Sequence, residues 1–166
     1  MDTSLHEQKN IIVIGAGFGG VTTTLKLAAC KKYLRGHRII LIDKNPYQLY
    51  TPALYEIAAI PRHDANVVAL RHAITIALKD IVAGKKITFI QGEVVALDQK
   101  NKKIILRGKS PLHYEFLIFA LGAETNYFNI PGLQENALPL KTFSDGVALR
   151  NRIEKLIEEK MGIVRI

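Results

Sequence analysis

The sequence contains a single cysteine, Cys30. One cysteine cannot form an intrachain disulfide, and a CxxC redox pair, which needs two cysteines, is also excluded. We interpret Cys30 as a core residue of the first helix, because an unpaired cysteine usually behaves as a small apolar side chain. The histidines His63, His72 and His113 lack the spacing of metal ligands, and no catalytic triad is recognisable. The sequence therefore predicts neither a metal centre nor a catalytic nucleophile.

Long apolar segments are also missing. The longest nearly continuous runs, Ile11–Ile14 and Phe116–Gly122, are far shorter than the roughly 20 residues that a membrane-spanning helix requires. The first ten residues include Asp2, His6 and Glu7 and have no apolar region typical of a signal peptide. We therefore expect a cytoplasmic protein, and peripheral contact with the inner face of a membrane stays open.

Charge is not balanced, because the formal net charge is +8. The excess of lysine and arginine lies in three clusters, at residues 31–38, 85–86 and 100–109. Such clusters can attract nucleic acid or an anionic membrane. Few aromatic side chains are interleaved with them, and solvated helix ends and turns explain them more simply. We expect no nucleic-acid partner.

The first recognisable unit is a strand, a glycine-rich turn, a helix and a second strand. Residues 10–14 form a β-branched run without polar alternation, which is typical of a parallel strand buried on both faces. The turn Gly15–Gly20 follows, and apolar residues at helical spacing predict a helix over Phe18–Leu34, stopped by Gly36. Arg38–Asp43 is a second buried strand. The pattern predicts a right-handed β-α-β crossover.

The rest of the chain mixes a loop, helices and strands. Prolines and aromatic residues predict a loop over Lys44–Ala59, and His63–Ala83 holds one or two helices. Strands are predicted over Lys86–Gln91, Glu93–Asp98, Lys103–Leu106 and Glu115–Leu121, with a bulge or bend at Gly92 and turns at 99–102 and 108–111. A last helix is predicted over Asp145–Lys160, with Ser144 as its N-cap. We predict a Rossmann-like α/β fold with a central parallel sheet and an antiparallel β-meander.

The glycine turn has a recognisable chemistry, because Gly15–Gly20 matches the G-x-G-x-x-G pattern that holds a dinucleotide pyrophosphate. Gly15 permits a tight turn, Gly17 leaves no Cβ in the way of the phosphates, and Gly20 lets the helix pack closely. The helix N-terminus offers unpaired N–H groups and a partial positive charge to the anion. Asp43 ends the second strand, where a carboxylate can accept a hydrogen bond from a ribose hydroxyl. The unit predicts an adenine dinucleotide without separating FAD from NAD.

Two further segments are more specific. Residues 38–59, RIILIDKNPYQLYTPALYEIAA, and residues 114–153, which include NYFNIPG and PLKT, resemble stretches of the type II, non-electrogenic NADH:quinone oxidoreductases. The resemblance covers roughly residues 10–157. It implies a flavoprotein of the pyridine nucleotide-disulphide oxidoreductase type, with FAD as cofactor and NADH and a quinone as substrates. In that family the flavin carries hydride chemistry, and the protein orients it.

The resemblance also implies roles for individual residues. Asp43 binds the adenosine ribose, the backbone at Val94 meets the adenine, and Thr51–Pro52 packs beside the isoalloxazine ring. Ala120–Gly122 occupies the second flavoprotein motif, usually Ala-Thr-Gly, so Leu121 removes a hydroxyl contact. The expected cofactor-binding residues are Gly15, Ala16, Gly17, Phe18, Gly19, Gly20, Asp43, Lys44, Thr51, Pro52, Val94, Ala120, Leu121 and Gly122.

The chain departs from this family in its length. Family members are more than twice as long, with a second glycine turn for NADH, a C-terminal Gly-Asp segment and amphipathic membrane helices. After Gly20 the glycines of this chain stand singly. We therefore expect residues 1–166 to form an incomplete FAD/NAD(P)-binding domain. Two functions stay open: the FAD-binding part of an NADH:quinone oxidoreductase, and a truncated flavin-binding fragment without turnover. A sulfide:quinone reductase would need a reactive cysteine pair, which the single cysteine of this sequence cannot supply.

Overall fold

The computed structural model describes residues 9–30 and 36–161. In chain order the described elements are β1 (Lys9–Ile14), α1 (Phe18–Ala29), β2 (His37–Asp43), β3 (Tyr47–Leu49), a 3₁₀ helix (Thr51–Ala53), α2 (Leu54–Ala59), α3 (Val67–Ile74), β4 (Thr75–Ala77), α4 (Leu78–Val82), β5 (Ile87–Gln91), β6 (Val94–Asp98), β7 (Lys103–Leu106), β8 (Leu112–His113), β9 (Phe116–Phe119), α5 (Leu133–Asn136) and α6 (Phe143–Met161). The chain divides into two compact units. The first comprises residues up to 48 and Ala77–Gly122, and the second comprises Leu49–Ile76 and the residues from 123 onward.

The first unit is built on a four-stranded parallel sheet with the order β5-β2-β1-β9. Successive side chains of a strand point to opposite faces. Accordingly, Ile12 and Ile14 of β1 belong to one buried cluster, and Val13 belongs to another. In β2, Ile40 and Leu41 divide in the same way. Both faces of the central strands are buried, which explains the absence of polar alternation and confirms the sequence prediction.

Different elements cover the two faces of this sheet. One cluster contains Ile104 and Leu106 of β7, which lies in the antiparallel sheet β6-β7-β8. The other contains Val21 of α1 and Leu78 of α4. The α/β fold with a central parallel sheet and an antiparallel meander is therefore confirmed. The strand predictions are confirmed as β5, β6, β7 and β9, whereas β8 was not predicted.

The first helix is shorter than predicted. α1 ends at Ala29, and Cys30 has an extended backbone and a half-buried side chain. The N–H group of Cys30 closes the last turn on the carbonyl oxygen of Leu27, at 3.1 Å. The predicted continuation to Leu34 is therefore wrong at Cys30, and residues 31–35 lie outside the described part of the chain. Gly36 has φ of 74° and directly precedes β2, and the residues that it was predicted to terminate lie outside the described part of the chain.

The predicted loop over Lys44–Ala59 is wrong, because this segment contains β3, the 3₁₀ helix and α2. Pro52 lies in the first turn of the 3₁₀ helix, where its missing N–H is not needed. α2 buries Leu54, Ile57 and Ala58, which share one helical face. The prolines and aromatic residues of this segment favoured a loop, so the helical spacing of these three apolar residues was not recognised in the sequence.

The second unit has a small apolar core of its own. Its buried members are Ala53, Leu54, Ile57, Leu70, Ile74 and Phe143. They join α2, α3 and the first residue of α6. The prediction of one or two helices over His63–Ala83 is confirmed as two, α3 and α4, with the unpredicted strand β4 between them. None of the helices within the described residues is both long and apolar enough to cross a membrane.

The N-terminus of α6 is capped by Thr142, and the prediction of Ser144 as the cap is wrong. The hydroxyl oxygen of Thr142 accepts a hydrogen bond from the N–H of Asp145 at 3.2 Å. In return, Oδ2 of Asp145 accepts from the N–H groups of Thr142 at 2.7 Å and of Lys141 at 3.0 Å. This reciprocal pair is a capping box. Ser144 already lies inside the first helical turn.

We expect Asp145→Asn to lower the free energy of unfolding by about 1 kcal/mol at neutral pH. Burial by itself would raise the pKa of the Asp145 carboxyl group. Hydrogen bonds from the backbone N–H groups of Thr142 and Lys141, together with one with the Thr142 side chain, outweigh burial, so this pKa lies below its ordinary value. A lowered pKa stabilises the fold above the unfolded carboxyl value of about 3.9, and this stabilisation is lost as the pH falls through the folded value. Urea unfolding of the wild type and of Asp145→Asn, at pH 7 and in acid, measures the difference in the free energy of unfolding. An equal difference at both pH values contradicts the prediction.

Candidate dinucleotide-binding site

The glycine turn lies at the carboxyl edge of the parallel sheet, where β1, β2 and β9 all end. The N–H of Gly15 donates to the carbonyl oxygen of Ile42 at 2.8 Å. On the other side, the N–H of Ala120 donates to the carbonyl oxygen of Ile14, also at 2.8 Å. Open α/β sheets bind ligands beyond this edge. The turn predicted from the sequence is therefore in the expected place.

Two glycines of the turn are required by close backbone contacts. Gly15 has φ of 98°, and a Cβ there would lie 2.3 Å from the carbonyl oxygen of Ala120. A Cβ on Gly20 would lie 1.8 Å from the carbonyl oxygen of Gly15 and 3.2 Å from Cβ of Ala120. These distances confirm the tight turn and the close packing of α1. The part of Ala120 in this contact was not predicted; its small side chain is what leaves room for Gly20.

The other two glycines of the turn face open space. A Cβ on Gly17 or Gly19 would meet nothing within 4 Å, and both residues are exposed. Gly17 is the N-cap of α1 with no side-chain cap, and the first turn contains no acidic residue. The first N–H groups of a helix have no intrahelical acceptor, and the helix dipole makes this end positive. The arrangement can therefore receive an anion.

Asp43 reaches the glycine turn directly. Its Oδ2 accepts a hydrogen bond from the N–H of Ala16 at 2.7 Å, and its Oδ1 accepts from the N–H of Asn45 at 2.8 Å. The carbonyl oxygen of Asp43 also accepts from the N–H of Gly92 at 2.9 Å, which ties β2 to the end of β5. The structure thus brings Asp43 and the turn together. The contact of Asp43 with a ribose stays a prediction.

The remaining predicted residues are distributed over both units. In the first unit, Lys44 is exposed after β2, Val94 begins β6 and is half-buried, and Phe18 begins α1. Ala120 directly follows β9 and is half-buried, and Leu121 and Gly122 after it are exposed. Thr51 and Pro52 begin the 3₁₀ helix of the second unit and are exposed. Their contacts with a flavin stay predictions. Within the described residues, no three His, Cys, Asp or Glu side chains are grouped to hold a metal ion.

Comparison with known families supplies the decisive observation. Residues 9–164 match the model of the pyridine nucleotide-disulphide oxidoreductases. The chain belongs to this family. Pyridine nucleotide-disulphide oxidoreductases of this kind are FAD-dependent and use NADH. Membership therefore gives the glycine turn at the edge of the sheet a chemical context.

Two curated relatives with quinone-reducing names are similar to this chain. Demethylphylloquinone reductase NdbB from Synechocystis is 28% identical over 94% of this chain and 38% of its own length. The type II NADH:quinone oxidoreductase from Staphylococcus haemolyticus is 29% identical over 90% of this chain and 35% of its own length. The predicted resemblance to type II enzymes is confirmed. The chain spans little more than a third of the length of these relatives.

Solved structures of other proteins share the fold. NDH2 from Plasmodium falciparum in complex with NADH has a TM-score of 0.71 and 23% identity, with 93% of this chain and 30% of that chain covered. The sulfide:quinone oxidoreductase from Aquifex aeolicus also has a TM-score of 0.71, with 21% identity, 90% of this chain and 32% of that chain. The agreement supports the Rossmann-like fold.

Proposed function

We propose that this chain binds FAD and is the FAD-binding part of an NADH:quinone oxidoreductase. One observation carries most of the weight: the open space at Gly17 and Gly19 lies at the uncapped N-terminus of α1, with Asp43 beside it. A pyrophosphate needs backbone N–H donors, positive charge and freedom from Cβ atoms, and the turn offers all three. Both units would belong to one FAD/NAD(P)-binding domain that is incomplete relative to the family.

The residues of the first unit fit an adenine dinucleotide in this proposal. The N–H groups at Gly17 and Gly19 would hold the pyrophosphate, and Asp43 would accept from the ribose. Val94 would meet the adenine through its backbone, and Ala120–Gly122 would approach the flavin, as the family resemblance implies. Asp43 also disfavours a ribose with a 2′-phosphate, because two negative charges would repel each other.

The substrates in this proposal come from the names of the relatives, which are NADH:quinone oxidoreductases and a demethylphylloquinone reductase. When bound, FAD would accept a hydride from NADH and pass the electrons on to a quinone. The residues of this chain bind and orient the cofactor, so the proposal requires no nucleophile. A quinone is membrane-soluble, so the proposal places this chain near a membrane surface, in keeping with the expected cytoplasmic location at the inner face.

A second candidate is a flavin-binding fragment without turnover of its own. The observation that favours it is the share of the relatives that this chain spans, 38% and 35%. The sequence also has a single G-x-G-x-x-G turn, Gly15–Gly20, which the proposal assigns to FAD. NADH then has no comparable turn in these 166 residues.

We expect the purified 166-residue chain to bind FAD and to reduce quinone poorly. Calorimetric titration with FAD, on protein shown to be folded by circular dichroism, measures the first part. NADH-dependent reduction of menadione, with the Staphylococcus haemolyticus enzyme as reference, measures the second. The rate should be at least about 100-fold below the reference, because hydride transfer requires both reactants to be held together.

The two measurements test the proposed FAD site and the turnover of this chain separately. A flat titration on folded protein contradicts the proposed FAD site. Binding without turnover supports the flavin-binding fragment, whereas menadione reduction at the rate of the reference enzyme excludes it.

A further inference from the structure

We propose that Asp43 is a positioning residue for the pyrophosphate, because it fixes the glycine turn through the N–H of Ala16. This inference rests on the proposed FAD site and extends the role of Asp43 beyond the ribose. The decisive geometry is that both carboxylate oxygens accept backbone hydrogen bonds, Oδ2 from Ala16 at 2.7 Å and Oδ1 from Asn45 at 2.8 Å. Asp43 therefore holds the backbone that follows β1, at Ala16, and the backbone that follows β2, at Asn45, before any ribose is present.

The turn needs such an anchor. A Cβ on Gly17 or Gly19 would meet nothing within 4 Å, and glycine has more backbone freedom than any other residue. Ala16 is only 2% exposed, so its N–H has little access to water and depends on Asp43. The adjacent N–H of Gly15 bonds the carbonyl oxygen of Ile42. Asp43 therefore anchors Ala16 directly before Gly17, whose carbonyl oxygen accepts from the N–H of Val21 at 3.0 Å.

Anchoring the turn and binding the ribose are compatible. An ionised carboxylate has about four acceptor positions, and the two backbone N–H groups use two of them. An amide at this position has a single acceptor oxygen, so it would turn an N–H₂ group toward one of the two backbone donors. The negative charge of Asp43 acts in the opposite direction, because it repels a phosphate nearby. Removing the charge alone would therefore strengthen diphosphate binding.

A nucleotide without ribose hydroxyls separates these effects. ADP and 2′,3′-dideoxy-ADP are titrated against the wild-type chain, Asp43→Asn and the control Asp98→Asn. Asp98 is a matched control, because both of its oxygens also accept hydrogen bonds, from the backbone and side chain of Asn101. We expect Asp43→Asn to weaken binding of 2′,3′-dideoxy-ADP about tenfold and binding of ADP more strongly, because ADP also loses its ribose contact, and Asp98→Asn to leave both unchanged.

Two results overturn the positioning role. If Asp43→Asn weakens ADP but leaves the dideoxy nucleotide unchanged, Asp43 acts only on the ribose. If the dideoxy nucleotide binds more tightly, Asp43 acts only through its charge. Should Asp43→Asn not fold, Asp43→Glu replaces it: the carboxylate is kept but moved by one methylene, and we expect the same loss for the dideoxy nucleotide.

A measurement without ligand tests the anchor itself. The amide of Ala16 should exchange slowly with solvent deuterium in the wild-type chain and at least about tenfold faster in Asp43→Asn. Rapid exchange in the wild type overturns the inference. Failure of the proposed function is distinguishable: a folded wild-type chain that binds neither FAD nor ADP contradicts both, whereas full dideoxy-ADP affinity in Asp43→Asn contradicts the positioning role alone.

Discussion

Gly20→Ala is expected to lower the free energy of unfolding by about 3 kcal/mol or more, a large part of the stability of a domain of this size. A Cβ at this position would lie 1.8 Å from the carbonyl oxygen of Gly15, which belongs to the backbone and cannot rotate away. Relief would require α1 to move off the turn, and with it Val21 would leave the buried cluster. Chemical unfolding followed by far-UV circular dichroism measures the loss.

Gly19→Ala is the matched control for this prediction. Its Cβ would meet nothing within 4 Å, and it lies in the same turn of α1. Alanine has a higher helix propensity than glycine by about 1 kcal/mol, so this variant should be as stable as the wild type or slightly more stable. If Gly20→Ala unfolds at the same urea concentration as Gly19→Ala, the close approach of α1 to Gly15 is contradicted.

Gly17→Val is expected to abolish detectable FAD binding while the protein stays folded. Gly17 has φ of −71° and ψ of −169°, an extended conformation that valine adopts without strain, and its Cβ would enter open space. In the proposed site, that space holds the pyrophosphate. Loss of two hydrogen bonds to a charged group corresponds to at least about a 100-fold weaker affinity.

FAD titration and urea unfolding of the same Gly17→Val preparation measure both halves of this prediction. Gly17→Ala provides a graded control, because its smaller side chain should reduce the affinity less. Wild-type affinity in Gly17→Val means that the pyrophosphate does not lie over Gly17, and the assignment of the site is then wrong. Together with Gly20→Ala, the pair separates the glycine that the fold requires from the glycine that the ligand requires.

Local sequence patterns predicted much of this fold for a physical reason. The β-branched runs in β1 and β2 are buried on both faces, so their composition alone excludes a surface strand. The turn was predictable because Gly15 has a positive φ that few other residues adopt. The segment over Lys44–Ala59 was not predictable in the same way, because Pro52 is a helix breaker except in a first turn. In the structure, α2 packs in one buried cluster with Leu70 and Phe143, which are distant in the sequence.

The sequence by itself determined the β-α-β unit, the glycine turn and the position of Asp43 at the end of a strand. These depend on residues close together in the chain and on their own conformational preferences. Only the tertiary structure decided that β5 and β9 join the parallel sheet while β6 and β7 form the meander. All four strands are similarly apolar, and parallel pairing between distant segments has no local signal. That pairing brings Ala120 against Gly15, and the shared edge lets Asp43 hold Ala16.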